Sequence, residues 1–251
     1  MKVPESYRSL RAGRVRAVVR EDLVTTLGAW LVAPRLVLPP RSEPLPAGRG
    51  AAYRTTLADG TAVVVRVARR GGLVARFVRE TYVGVRPRPL RELVVTAEAR
   101  RRGVAAAEVL GVRVEGGLVY RGAVVTAEVP AARTLVDALR RAPDTRARQA
   151  LAASAGRAVG ALHAAGVYHA DLNLTNILVH PGAAGPAVAL LDFDRARLRR
   201  APLSAAACRR NLRRLARSLA KLDPETALAG ADERRAFGAG YREEAGMPCA
   251  S

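Results

Sequence analysis

Apolar and polar positions change rhythm midway along the chain. Between residues 51 and 129 the apolar residues gather in short β-rich runs. Residues 51–57 and 61–68 form one pair, joined around Ala58-Asp59-Gly60, and Asp-Gly is a strong tight-turn signal. Residues 109–114 and 118–129 form a second pair around Gly116-Gly117. Between the pairs, residues 89–102 carry Leu90, Leu93, Val94 and Ala97 at helical spacing, and Gly103 stops the pattern. Beyond Pro130 the period becomes helical. Helices are predicted over 134–141, 145–165 and 204–222, the last with Leu212, Leu215, Leu219 and Leu222 on one stripe. Two short strands, 177–180 and 187–191, interrupt this half. The first 45 or so residues, with Pro39, Pro40, Pro44 and Pro46 near their end, are expected to be irregular.

Length and composition narrow the class. A chain of 251 residues, 49% of them apolar, can bury a sizeable core and form one or two domains. Arg8, Arg11, Arg14, Arg16 and Arg20 break any targeting segment, and no apolar window is long enough to span a bilayer. A cytoplasmic protein is expected. Cys208 and Cys249, the two cysteines, exclude a disulfide-dense scaffold and a four-cysteine zinc site, and they fit a reducing compartment. The net charge of +20 comes from 42 basic and 22 acidic residues, and only Lys2 and Lys221 are lysines. Such charge points to nucleic acid, anionic lipid or a phosphorylated substrate, or to biased composition. Six Tyr, three Phe and one Trp form no stacking motif, so no nucleic-acid partner is assigned.

The chemistry concentrates in His169-Ala170-Asp171-Leu172-Asn173 and Asn176, followed by Leu190-Leu191-Asp192-Phe193-Asp194. Phosphoryl transfer to a hydroxyl needs a carboxylate to orient the hydroxyl and take its proton. It also needs oxygen ligands for Mg2+ beside the phosphates. Asp171 suits the first task, and Asn176 and Asp192 suit the second. Ordinary turn residues are the plain alternative. The apolar strands after Asn176 and before Asp192, and a preceding helix ending in Leu162-His163, argue against it. His169 is expected to support the loop by hydrogen bonding.

These motifs resemble the catalytic loop and the Asp-Phe metal motif of the protein-kinase-like phosphotransferases. That resemblance implies an α+β, two-lobed fold. Residues 1–128 would form an N-terminal segment and β-rich nucleotide-binding lobe, and 129–251 a helical catalytic lobe. Such halves often hold a ligand between them. Gly48-Arg49-Gly50 resembles a shortened phosphate-covering loop, with Gly48 and Gly50 letting backbone amides approach phosphate. The strand that should carry a phosphate-binding lysine reads Val63-Val64-Val65-Arg66-Val67, so Arg66 is the candidate cation. Glu92 could pair with it, and residues 127–129, centred on Glu128, should offer backbone groups to an adenine edge.

Further runs narrow the resemblance: Arg69-Arg70-Gly71-Gly72-Leu73, Arg91-Glu92, residues 128–135 and residues 211–219. Together with the motifs above, they are similar to the lipopolysaccharide kinases, and within these the 3-deoxy-D-manno-octulosonic acid (Kdo) kinases. The resemblance covers about residues 45–222. It implies ATP- and Mg2+-dependent phosphorylation of a Kdo hydroxyl, the 4-hydroxyl, on a Kdo–lipid A precursor in inner-core biosynthesis. It further implies a peripheral place on the cytoplasmic face of the inner membrane. The stretch between Asp194 and Ser204 is too short for a long activation segment, which favours a small or lipid-linked acceptor. Arg69, Arg70, Arg195 and Arg197 flank the motifs and could meet an anionic acceptor. The 204–222 helix has a basic face, either a membrane contact or a wet surface. A heptose, choline-like or antibiotic phosphotransferase, or a basic nucleic-acid-binding protein, stays open as an alternative.

Overall fold

Side-chain alternation along β-strands explains how the first unit is built. The structure, a computed structural model, describes residues 2–45, 51–67, 82–83 and 87–245. The backbone groups into two units, Met1–Ala97 with Glu108–Glu128 and Glu98–Ala107 with Val129–Ser251. In the first unit the elements are β1 (Tyr7–Ala12), β2 (Val15–Arg20), α1 (Val24–Val32), β3 (Glu43–Leu45), β4 (Ala51–Thr56), β5 (Ala62–Val67), β6 (Tyr82–Val83), α2 (Arg88–Arg101), β7 (Val109–Gly116) and β8 (Val119–Ala127). The strands form one antiparallel sheet in the order β1-β2-β7-β8-β5-β4-β3, with β6 also paired to β8. Ala17, Val19, Val63, Val65 and Val125 on one face pack with Leu23, Leu27 and Leu31, the latter two from α1. Val18, Val112, Val114 and Val124 on the other face pack with Leu90 and Leu93 of α2. Full burial of each such leucine contributes roughly 2 kcal/mol.

The expectation that the first 45 residues are irregular is corrected. They form a hairpin, β1 with β2, and the helix α1. The signal was present as an apolar run on β2: Val15, Ala17, Val18 and Val19 are buried, Val18 on the opposite face from Ala17 and Val19, while Arg16 is exposed. Leu23, Leu27 and Leu31 add a four-residue helical repeat. The buried Arg113 guanidinium ties this segment to the sheet by donating to the Leu31 carbonyl at the end of α1, at 2.8 Å.

The second unit contains β9 (Arg133–Thr134), α3 (Leu135–Arg141), α4 (Thr145–Ala164), β10 (Val167–Tyr168), β11 (Ile177–Gly182), β12 (Gly185–Leu190), β13 (Arg197–Leu198), α5 (Ala205–Leu222) and α6 (Ala231–Glu244). Side-chain caps start its helices: Asp144 accepts from the Ala147 amide for α4, and Ser204 from the Ala207 amide for α5. β12, β11 and β9 form a small antiparallel sheet, and β10 pairs with β13. Helix α6, which the hydrophobic pattern had not marked, packs closely along α4. Glu98–Ala107 clusters with this unit, departing from a single cut at residue 128. The Leu190 amide donates to the Ala105 carbonyl and the Ala107 amide to the Leu190 carbonyl, at 2.8 and 3.0 Å. Cys208 is buried at the start of α5. No helix among the described residues is long and apolar enough to cross a membrane.

Candidate active site

Helix α4 ends at Ala164, and two residues on, Gly166 has a φ of +72°, in the left-handed region that glycine adopts without strain. The chain then passes through β10 into the loop 169–176. Buried Leu172 and Leu174 anchor that loop, and the alternating polar residues between them remain partly exposed. Asn173 organises the turn: its side-chain oxygen accepts from the Thr175 and Asn176 amides, both at 3.0 Å. Both Asn173 Nδ2 and Asn176 Nδ2 donate to the Asp171 carbonyl, at 3.0 and 2.9 Å. With its amide nitrogen so used, Asn176 keeps Oδ1 as an acceptor, and no donor among the described residues reaches it.

Asp192 is brought to the same loop through the backbone. The Leu191 amide donates to the Asn176 carbonyl at 2.9 Å, and the Leu191 carbonyl accepts from His169 Nε2 at 2.8 Å. Asp192 adopts a φ of 63°, a left-handed conformation that costs a non-glycine residue ~1–2 kcal/mol and is least unfavourable for Asp and Asn. The next residue, Phe193, is buried and meets the His169 ring edge-on at 5.0 Å. Asp171, Asn176 and Asp192 are thus gathered around one short stretch of backbone. The donor set is one amide oxygen and carboxylates, with no cage of three or more His, Cys, Asp or Glu among the described residues. This set fits Mg2+, which takes few protein oxygens and keeps waters and phosphate oxygens as its other ligands.

A buried polar chain holds the loop from behind. Since His169 Nε2–H donates to a carbonyl, its Nδ1 is left to accept from the Asp171 amide at 3.3 Å. Burial pushes the His169 pKa down, so the ring stays neutral and acts as a brace. Asn211 of α5 clamps the same residue twice: Oδ1 accepts from the His169 amide at 3.1 Å, and Nδ2 donates to its carbonyl at 2.8 Å. His163 of α4 donates from Nε2 to Asn211 Oδ1 at 3.2 Å and accepts at Nδ1 from the Tyr241 hydroxyl of α6 at 2.8 Å. Burial lowers the His163 pKa to about 4 and raises that of Tyr241 to about 12, matching these donor and acceptor roles. In the sequence Asn211 belongs to a helix and to the run 211–219 that carries the resemblance, with no role assigned. Its signal was a polar residue on the buried stripe of Cys208 and Leu215.

In the first unit, Arg66 and Glu92 form an ion pair. Parity along β5 accounts for it. Val63 and Val65 face α1, so Arg66 projects to the opposite face, where α2 carries the nearly buried Glu92. At the end of β8, the Glu128 carboxylate accepts from Arg54 at 2.7 Å, and the Glu128 amide donates to the Ala62 carbonyl at 3.0 Å. The Ala127 amide is taken by the Glu108 carbonyl. Of the backbone groups of residues 127–129 proposed for an adenine edge, the Glu128 carbonyl and the Val129 amide are left open among the described residues. Gly48, Gly50, Arg69, Arg70 and Cys249 lie outside the described residues. Arg195 and Arg197 are exposed.

Solved structures share this architecture. WaaP in complex with acyl carrier protein matches with a TM-score of 0.55 at 20% identity, over 81% of this chain and 79% of that one. Amicoumacin kinase hAmiN in complex with AMP-PNP, Ca2+ and Ami matches with a TM-score of 0.55 at 15% identity, over 90% and 78%. The fold is that of a kinase. A model described as the lipopolysaccharide kinase (Kdo/WaaP) family matches residues 45–241. The 3-deoxy-D-manno-octulosonic acid kinase of Xylella fastidiosa (strain M12) is 36% identical over 184 residues, covering 71% of this chain and 69% of that relative. The chain belongs to the lipopolysaccharide kinase (Kdo/WaaP) family and is a phosphotransferase. β1, β2 and α1 lie outside the matched stretch.

Proposed function

We propose that this protein transfers the γ-phosphoryl group of ATP to the 4-hydroxyl of a Kdo unit on a lipid A precursor, in inner-core lipopolysaccharide assembly. The observation that carries the reading is the gathering of Asp192 to the braced loop of Asp171 and Asn176, in a chain 36% identical over 184 residues to a named Kdo kinase. Asp171 orients the acceptor hydroxyl and takes its proton late in the transfer. Asn176 Oδ1 and the Asp192 carboxylate are the residues that would hold Mg2+. When bound, the ion supplies neutralisation of phosphate charge. Arg66, fixed by Glu92, holds the nucleotide phosphates in place of lysine. The Glu128 carbonyl faces the adenine edge. Rate acceleration is then mainly positioning and electrostatics. A lipid-linked acceptor implies work at the cytoplasmic face of the inner membrane as a peripheral protein.

The test is mass spectrometry of a Kdo–lipid A precursor incubated with protein, ATP and Mg2+. One added phosphate on the Kdo unit is expected, and none with Asp171→Ala or Asp192→Ala at unchanged melting temperature. Phosphate appearing instead on a heptose or an antibiotic acceptor, or full turnover by Asp192→Ala, contradicts the reading.

A further inference from the structure

Helix α5 meets the catalytic loop along one stripe, Asn211, Arg214 and Ser218, at helical spacings of three and four. The outer two contacts hold backbone. Asn211 bonds both the amide and the carbonyl of His169, and Ser218 Oγ accepts from the Leu174 amide at 3.2 Å. The middle contact is different. Arg214 Nη1 lies 3.8 Å from Asp171 Oδ1, well beyond the separation of a charge-assisted hydrogen bond. Both side chains are open to solvent, at 40% and 49% of full exposure. Arg214 Nε is buried and has no hydrogen-bond partner among the described residues. A guanidinium has five N–H donors, and this one gives Asp171 a single loose contact. Arg209, Arg210, Arg213 and Arg217 on the same helix are exposed, whereas Arg214 is half-buried beside Asp171.

We propose that Arg214 binds the acceptor's carboxylate and thereby selects a sugar acid at Asp171. The assignment rests on Asp171 serving the acceptor hydroxyl. A planar fork of donors matches a carboxylate in a bidentate manner. On a sugar acid, the carboxylate and the reacting hydroxyl share one ring, so an acceptor seated at Asp171 brings its carboxylate to the neighbouring cation. Occupation of Arg214 by the acceptor also relieves its hold on Asp171, leaving that carboxylate to the hydroxyl. A lipid phosphate presents similar oxygen chemistry but sits on another residue of the glycolipid.

The experiment compares wild type, Arg214→Lys and Arg214→Ala on three acceptors: the Kdo–lipid A precursor, the same glycolipid with the Kdo carboxyl reduced to an alcohol, and the same with the lipid phosphates removed. For Arg214→Ala, the acceptor KM on the acid should rise so that kcat/KM falls ~10- to 100-fold, the ATP KM staying unchanged. The penalty should disappear on the reduced acceptor and persist on the dephosphorylated one, with Arg214→Lys in between. Equal loss of kcat on all three acceptors would mean that Arg214 only steadies Asp171, and overturns the proposal. A penalty that vanishes with the lipid phosphates overturns the carboxylate assignment. If wild type phosphorylates none of the three, the functional reading above fails first and this one falls with it.

Discussion

At the residue scale, the brace behind the loop rests on single side chains with no substitutes. Asn211 satisfies both backbone groups of His169 and accepts from His163. Removing it strands buried donors and an acceptor together, each costing about 1–3 kcal/mol. Asn211→Ala is therefore expected to lower stability by ~2–4 kcal/mol, read from urea unfolding; a midpoint equal to wild type would show that the network is not structural. Of the candidate site, Asp171, Asn176 and Asp192 were legible in the sequence because their chemistry is tied to short spacing and flanking apolar strands. The Arg66–Glu92 pair was legible through the kinase resemblance, and strand parity on β5 agrees with it. Asn211 and Arg214 were not legible in their roles. Both sit in an ordinary amphipathic pattern, and nothing local says which distant backbone they meet.

At the element scale, α4 and α6 approach through glycines. A Cβ on Gly156 would collide with the Phe237 carbonyl, and one on Gly240 with the Ala153 carbonyl. Gly238, on the same α6, would meet only the flexible end of Arg242, at 3.4 Å. Alanine normally stabilises a helix relative to glycine by about 1 kcal/mol. Gly156→Ala is expected instead to destabilise by ~1–3 kcal/mol through overpacking, while Gly238→Ala is neutral or stabilising. Thermal melts of the two variants provide the check, and a stabilised Gly156→Ala would mean that the helices are farther apart than described. This packing also explains why α6 escaped the hydrophobic pattern. Its buried positions include Gly240 and the partly polar Tyr241 and Glu233, so close approach replaces an apolar stripe. The hairpin at the start of the chain was obscured differently, by exposed arginines interleaved with its buried valines.

At the scale of the whole molecule, the same network sets an acid limit. His163 has its pKa lowered from 6.5 to about 4 by burial, and that of His169 is lowered in the same direction. Between those values the unfolded chain binds protons that the folded one does not, so stability rises with pH across that window. The His163 contribution is complete above about pH 6.5 and is lost on falling to about 4, a change of at most ~3 kcal/mol. Melting temperatures should therefore drop between pH 7 and 4.5, and His163→Gln should flatten the drop; an unchanged slope would remove His163 from the account. What the sequence determined by itself was local: strand alternation, helix phase, turn chemistry, and the spacing that puts an Asp, an Asn and a second Asp at the ends of apolar strands. The tertiary structure decided which surfaces meet. Only packing turns Asn211 toward the His169 backbone, sets Arg214 beside Asp171, and presses α6 onto α4. Those contacts join residues far apart in the chain, and their energies depend on burial and distance, which no local pattern encodes.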